Sequence, residues 1–437
     1  MRRSVLWGAG MLFLVLACVR LASPPNVAAA SSGKIIYSFT GGADGAYPES
    51  DLTMDAAGNL YGTTNQGGSG CGSAGCGTVF ELARSKDGWK HQVIYSFAGG
   101  PVDGNIPRAG LVFDSVGNLY GATSGGGSGG YGTVFKLAPN SHGSWSERVL
   151  YSFGGYSDGM YPSSDLVFDS QGNLYGTADG GTGTGFCGGE AWGNGIGCGI
   201  VFRLTPNRDG TWTETTIHNF GGAPDAAVPI GPVVLDADGS LYGASVYGGT
   251  GPCILGDGEF NPPYGCGALY KLTPSGGGWT ETVIYSFFRG QGFARNPSGG
   301  LILEKPGRVL GTSSYGGDGD GTFFQIDQRQ KGWEQTILYR FYGDPDGKNP
   351  VGRLATGPQG NLFGATGGGG ANGPLGSGTV FELKRTERGW EEHVLFDFGS
   401  TGFNPQAGPT VDSQGQLYGT LSDFYGSNFG VVYEVIP

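Results

Sequence analysis

The tripeptide Leu-Tyr-Gly occurs five times along the chain, with two altered copies, and every copy stands in one longer frame. The frame reads Asp-x-x-Gly-Asn-Leu-Tyr-Gly at residues 55–62, 114–121 and 169–176, and more loosely around Tyr242, Leu310, Phe363 and Tyr418. A unit repeated every few tens of residues restricts the chain to a solenoid, a propeller or a linear array. With 91 Gly, 25 Phe and 21 Tyr against 14% charged residues, the composition suits many short strands joined by tight turns, so an all-β fold is expected. The glycines punctuate regularly spaced apolar runs, which leaves a packed core available.

Each unit contains four short apolar runs bounded by Gly, Pro, Asn or Asp, predicting a four-stranded antiparallel meander. Strand A follows a Pro, as in Leu111-Val112-Phe113 after Pro107. Strand B is the Asn-Leu-Tyr-Gly segment. The Asp-x-x-Gly turn before it offers a carboxylate to backbone N–H groups and a Gly for positive φ. Strand C reads Gly-Thr-Val-Phe, as at residues 77–80, and strand D follows a Trp and ends Ile-Tyr-Ser-Phe, as at residues 94–97.

Strands A, B and C recur seven times in that order, but strand D occurs once before the first A, at residues 36–39, and not after the last C. A ring needs this one-strand permutation, because the first strand can complete the last sheet and join the two ends. A linear solenoid would instead require polar caps. Trp89, Trp145, Trp212, Trp279, Trp333 and Trp390 precede strand D in six units, and the seventh is missing before Ile36. The expected fold is a seven-bladed β-propeller with four antiparallel strands per blade, closed by the N-terminal strand. Another blade number follows only if the fifth unit, where Glu304-Lys305-Pro306-Gly307 replaces the usual turn, is partitioned differently. The recurring Tyr61, Tyr120 and Tyr175 are assigned to packing between blades.

Residues 1–30 differ from the repeats: Arg2 and Arg3, an apolar run over residues 5–19, Pro24 and Pro25, then three alanines before Ser31. The run is short for a membrane span and is followed by a small-residue cleavage site, so it reads as a signal peptide cut after Ala30. A second reading takes Leu14 to Cys18 as a lipobox, with Cys18 lipidated. Either one places residues 31–437 outside the cytoplasm, as a secreted, periplasmic or lipid-anchored propeller without a transmembrane span. Without the leader, 22 basic side chains face 37 acidic ones, a formal charge of −15. Nucleic acid and anionic membranes are poor partners for that charge, which would keep an exported monomer soluble.

Six cysteines remain in the repeats, in three close pairs: Cys71 with Cys76, Cys187 with Cys198, and Cys253 with Cys266. An even count with local spacing in an oxidising compartment reads as disulfides stapling loops. Zinc thiolate sites are disfavoured, because none of the four histidines neighbours a pair.

In an up-and-down blade the A–B and C–D turns share one face of the disc, and the B–C and D–A connections share the other. The B–C loops vary most, with long copies at residues 178–198 and 245–266, and variable stapled loops are where binding commonly lives. On the same face the D–A connections carry Asp44, Asp103, Asp158, Asp225 and Asp346, which could ring the channel mouth and hold a polar ligand or a Ca²⁺ ion. Asp-Gly text is also ordinary turn chemistry. Trp192, Phe260 and Tyr264 in the long loops, near Glu190, Asp257 and Glu259, could stack on sugar rings. His91, His142, His218 and His393 are scattered, and no motif of a nucleophilic, zinc or phosphate-binding enzyme stands in its proper context.

The unit DSVGNLYGATSGGGSGGYGTVFKLAP at residues 114–139, followed by VLYSF, resembles the GloVer tandem repeat of exported bacterial proteins, and the resemblance runs over residues 34–437. It implies export and a repeat-built domain, and brings no catalytic residues with it. The resemblance also implies varied C-terminal surface anchors in family members, and the sequence as it stands, ending at its last strand, is expected to depart from the anchored ones. The expected function is a binding module for glycan or protein on the B–C and D–A face, with no cofactor. The alternative, by analogy of fold alone, is a metal-assisted lyase or hydrolase at the central channel.

Overall fold

The computed structural model describes residues 31–437 apart from 142, 182–186, 188–196, 251–264, 289–292, 298, 317–318, 372–375, 400–403 and 423–427. Seven four-stranded antiparallel blades form the propeller. The first runs Thr53–Met54, Leu60–Thr64, Thr78–Ser85 and Gly88–Ser96, paired in sequence order from strand A at the channel to strand D at the rim. The last is made of Thr410–Val411, Leu417–Ser422 and Val431–Ile436, and its rim strand is Ser32–Ser38 from the other end of the domain. Ser32 pairs with Ile436 and Ser38 with Val431, so the permutation read in the sequence is the closure of the ring. The fifth unit is a regular blade, with Ile302–Lys305 and Arg308–Ser313 as strands A and B.

The repeated frame has a local reason at each position. Asp114 Oδ1 accepts the Val116 and Asn118 amides at 3.0 and 2.9 Å, closing the A–B turn. Its Oδ2 accepts the Tyr120 hydroxyl at 3.1 Å, so Asp and Tyr recur together because each completes the other. The Tyr120 ring then packs edge-on against Phe168 and Trp212 of the next blade, at 5.1 and 6.2 Å. The same contacts join Tyr61 to Phe113 and Trp145. The Gly of Leu-Tyr-Gly is required by the strand-C Phe. A Cβ on Gly121 would stand 2.7 Å from Phe135 Cζ.

The hydrophobic core is correspondingly divided into seven clusters, each lying at a seam between adjacent blades. The cluster of blades one and two gathers Tyr61, Val79 and Phe97 with Leu111, Leu119 and Phe135. A propeller blade therefore has no core of its own, and each face is buried only by its neighbours.

A second lock runs around the B–C and D–A face. Tyr47, Ile106, Tyr161, Val228, Asn296 and Asn349 each precede a Pro and each has φ between 52° and 59°. Such a conformation is unfavourable for bulky residues and doubly so before Pro. It is held because each amide donates to the carbonyl just before strand C of the preceding blade, as Tyr161 does to Tyr131 at 2.8 Å and Val228 to Cys198 at 2.8 Å.

Disulfides join Cys71 to Cys76 and Cys187 to Cys198. Cys266 is also disulfide-bonded, and Cys253 lies outside the described residues. Among the described residues no helix is long and apolar enough to cross a membrane.

Candidate functional site

Between the Pro that precedes strand A and the residue that opens the strand-A segment each unit has three residues, and the first and third of them vary in kind from unit to unit. The residue directly after the Pro is Glu49, Arg108, Ser163, Ile230, Ser298, Val351 or Gln406 in turn. The residue two positions later is Asp51, Gly110, Asp165, Pro232, Gly300, Arg353 or Gly408. Charge thus enters at five of these fourteen places, and a cavity of about 240 Å³ is lined by all five charged residues: Glu49, Asp51, Arg108, Asp165 and Arg353.

The charged groups are positioned from both sides. Arg353 Nε stands 2.8 Å from Asp51 Oδ2, and Asp51 Oδ1 accepts the Gly408 amide of the intervening blade at 2.8 Å. Asp165 Oδ1 accepts the Gly110 amide at 2.6 Å, the equivalent bond one blade pair further round. These bonds need glycine at the ring position: a Cβ on Gly110 would lie 2.7 Å from Asp165 Oδ1. Arg108 Nε approaches Glu49 Oε2 at 3.4 Å with half of its side chain exposed.

Burial pushes the Asp51 carboxyl up, Arg353 pulls it down, and Asp165 pushes it up again, for a net rise. Glu49 is raised by burial against the pull of Arg108. Asp179, which accepts the Ser163 hydroxyl at 2.9 Å, is pushed by burial up to about 6. The mouth is therefore a partly desolvated set of acids and guanidinium groups with weak net charge, able to bind by directed hydrogen bonds.

Two larger spaces adjoin it. The channel, about 740 Å³, is walled by strand A and is mostly apolar, with Val112, Val167, Val234, Ile302, Leu303 and Val411 among its lining. The groove, about 680 Å³, lies across blades two to four on the B–C and D–A face and shares Arg108 and Ile230 with the mouth. Ile106, Tyr161 and Val228 line this groove, three of the six left-handed residues that precede a Pro, together with Tyr247 and Asp179. These three are the copies of the repeated lock that fall in blades two to four.

The five aspartates singled out in the D–A connections do not meet at the mouth. Each closes its own turn at the rim, bonded to the last residues of strand D. Tyr37 donates to Asp44 at 2.9 Å, Tyr95 to Asp103 at 3.0 Å, Tyr151 to Asp158 at 2.5 Å and Tyr339 to Asp346 at 2.6 Å. Turn amides complete them, as Ala98 does for Asp103 at 2.6 Å and Gly221 for Asp225 at 2.8 Å. None of the five lines the mouth, the channel or the groove. The connection starts at the rim and ends at the channel, and the Asp-Gly pair belongs to its start. Trp192, Phe260 and Tyr264 lie outside the described residues, as do Glu190, Asp257 and Glu259. The mouth residues were open to discovery in the sequence by aligning the seven Pro-x-x-x segments and asking where charge breaks the repeat.

A closed ring of seven repeat-built blades with one chemically irregular mouth defines the chain as a tandem-repeat β-propeller. It belongs to the Gloeobacter/Verrucomicrobia repeat family, which matches residues 26–189 and 255–437. No curated protein matches it. Among solved structures it is similar to a gluconolactonase from Xanthomonas campestris, at 13% identity over 78% of this chain and 87% of the other, with a TM-score of 0.41. It is similar also to YjhT, at 14% identity over 80% and 97%, TM-score 0.39. The PQQ domain of a pyranose dehydrogenase from Coprinopsis cinerea gives 11% identity over 94% and 97%, TM-score 0.44. At these identities none of their chemistry carries over to residues here.

Proposed function

We propose that this propeller is an exported binding module that takes a glycan at the channel mouth and the groove beside it. The observation that carries the reading is the placement of Asp51, Asp165, Arg353, Glu49 and Arg108 in one cavity, at positions the repeat otherwise leaves small or uncharged. The Asp51 and Asp165 carboxylates, held by backbone amides, and the Arg353 guanidinium, paired with Asp51, offer acceptors and donors of the kind vicinal hydroxyls require. Tyr161 and Tyr247, both half-buried in the groove, offer flat apolar faces for a sugar ring. A groove of about 680 Å³ falls within the usual size of small-ligand sites.

The cation-assisted lyase or hydrolase draws less support, because Arg353 already occupies the place beside Asp51 where a cation would need to sit. Export itself rests on the leader sequence and on loop disulfides, which suit an oxidising compartment.

The test is a screen of the purified protein against neutral and uronic-acid oligosaccharides, repeated with Arg353→Ala and Asp165→Asn. Retention of at least one oligosaccharide, lost in both variants, is expected. Oligosaccharide binding that survives both substitutions, or none at all above the variants, would remove the mouth from consideration.

A further inference from the structure

The rim carries its own repeated chemistry, and at one seam that keeps the turn aspartate a histidine takes the place of the tyrosine. At five seams an aspartate of the D–A turn faces strand D of its own blade, and at four of these it accepts the hydroxyl of a strand-D tyrosine. The residue two after the Trp of the next strand D also faces it. That residue is Glu147, Glu214, Glu281 or Glu392 at four of the five seams and His91 at the fifth. Tyr151, Asp158 and Glu214 form one such group, and Tyr339, Asp346 and Glu392 another. At the seam between blades three and four the tyrosine is replaced by His218, in the rim strand Trp212–Asn219. Its companions are Asp225 and Glu281, from the turn and from the rim strand Gly278–Ser286.

This single replacement changes the chemistry of the seam. A phenol hydroxyl can donate to a carboxylate and do little else, whereas a neutral imidazole presents a nitrogen lone pair. The tyrosine seams hold donor and acceptor at 2.5 to 3.0 Å. His218 Nε2 stands off from Asp225 Oδ2 at 3.4 Å. That is long for a charge-assisted hydrogen bond, but two donors bound at about 2.0–2.1 Å to a tetrahedral Zn²⁺ are roughly 3.4 Å apart. One ligand atom from each of His218, Asp225 and Glu281 lies within 4.8 Å of the other two.

The surroundings prepare the donors. Asp225 is held by the Gly221 amide at 2.8 Å and the Ala226 amide at 2.6 Å, which fix its carboxylate as outer-shell bonds fix a ligand. The His218 ring is set edge-on against Phe220 at 4.8 Å. Glu281 Oε1 is shielded from solvent and has no hydrogen-bond partner. The same orphaned oxygen occurs on Glu147 and Glu392, so it marks all three acids. Only beside Glu281 does a nitrogen donor stand ready to share a cation.

We propose that His218, Asp225 and Glu281 bind one divalent transition-metal ion of the Zn²⁺ class across the seam of blades three and four. One nitrogen and two carboxylate donors favour such an ion over Ca²⁺, which prefers six to eight oxygens. The site is remote from the mouth in chemistry and shares no residue with it. It ties together the two blades that carry the long loops at residues 178–198 and 245–266, and would act as a brace for that side of the disc.

The test is calorimetric titration of chelator-treated, dialysed protein with Zn²⁺ and separately with Ca²⁺, with melting temperature followed in parallel. Two variants accompany the wild type: His218→Tyr, which installs the residue used at neighbouring seams, and the isosteric Glu281→Gln. The wild type should bind one more Zn²⁺ than His218→Tyr, and its melting temperature should rise with Zn²⁺. Glu281→Gln should weaken that ion at least about tenfold, and it reads the same loss if the tyrosine disturbs the seam. Equal Zn²⁺ stoichiometry and affinity in all three proteins would assign the ion to other histidines and overturn the site. Tighter binding of Ca²⁺ than of Zn²⁺ would overturn it equally.

Discussion

The rim and the mouth of this propeller are built from the same repeat and obey opposite rules. At the rim the residues that matter recur: a turn aspartate returns at five seams, bonded to a strand-D tyrosine at four of them and faced by an acid at four, because the seams join similar surfaces. At the mouth the residues that matter are those that fail to recur. A ring of seven equivalent positions is filled mostly by Gly, Pro or small side chains, and Asp51, Asp165 and Arg353 interrupt it. In a repeat protein periodicity therefore reports packing, and departure from periodicity reports function. The His218 seam applies the second rule inside the region governed by the first.

The comparison breaks most sharply at the seams. Phe135 is fully buried between blades one and two, against Phe97 at 5.1 Å, and Phe135→Ala should cost about 3–5 kcal/mol by chemical denaturation. Unfolding should stay a single transition, because no blade keeps a core once its neighbour is lost. A separate early transition would show that the blades are more independent than the seven shared clusters imply.

Next in size is the dependence of stability on pH. Burial, with the facing aspartate adding to it, pushes Glu147, Glu214 and Glu281 up to about 7 and Glu392 up to about 8. In the unfolded chain these acids titrate near 4.3. The folded state therefore holds more protons between those values, and stability falls as pH rises from about 4.5 to 8. The melting temperature should be higher at pH 5 than at pH 8.5, and Glu392→Gln should flatten that slope. A melting temperature that rises across this interval would show that the rim acids are solvated after all.

Much of this architecture was legible in the residues. The Asp-x-x-Gly-Asn-Leu-Tyr-Gly frame encodes a turn, a strand and an inter-blade aromatic in eight positions, and the displaced strand at residues 32–38 announces closure. The rim aspartates were legible as turn residues too, but not their location, since sequence spacing says where a loop begins and not how far its first residues stand from the axis. The mouth was hidden for a different reason. Its charges come from blades one, two, three and six, and their proximity is a property of ring closure that no local window contains. The left-handed conformation before six of the prolines that lead into strand A was equally out of reach, because local preference argues against it and a bond from the neighbouring blade overrides that preference.

A smaller effect tests the repeated turns. Asp114 accepts two amides, the Asn118 side chain at 2.6 Å and the Tyr120 hydroxyl, and Asp114→Ala should cost about 1–2 kcal/mol. Tyr120→Phe, which removes only the hydroxyl, should cost less than the aspartate change. Equal losses would mean that the aspartate matters chiefly as the anchor of the ring and not as the cap of the turn.

The smallest expected change in stability separates the two regions most cleanly. Arg108 is half-exposed and its pairing with Glu49 is long, so Arg108→Ala should shift stability by no more than about 0.5 kcal/mol. Yet Arg108 is common to mouth and groove, and if the two form one glycan site its removal should weaken oligosaccharide binding by about tenfold, the cost of one directed charge-assisted bond. Phe135→Ala should do the reverse, lowering stability while leaving affinity intact at temperatures where the ring is folded. Combined in one protein, the two losses should add, because the residues share no partner. A double variant whose affinity falls well below that of Arg108→Ala alone would show that the seam of blades one and two shapes the mouth, and the division between packing and binding drawn from the repeat would have to be moved inward.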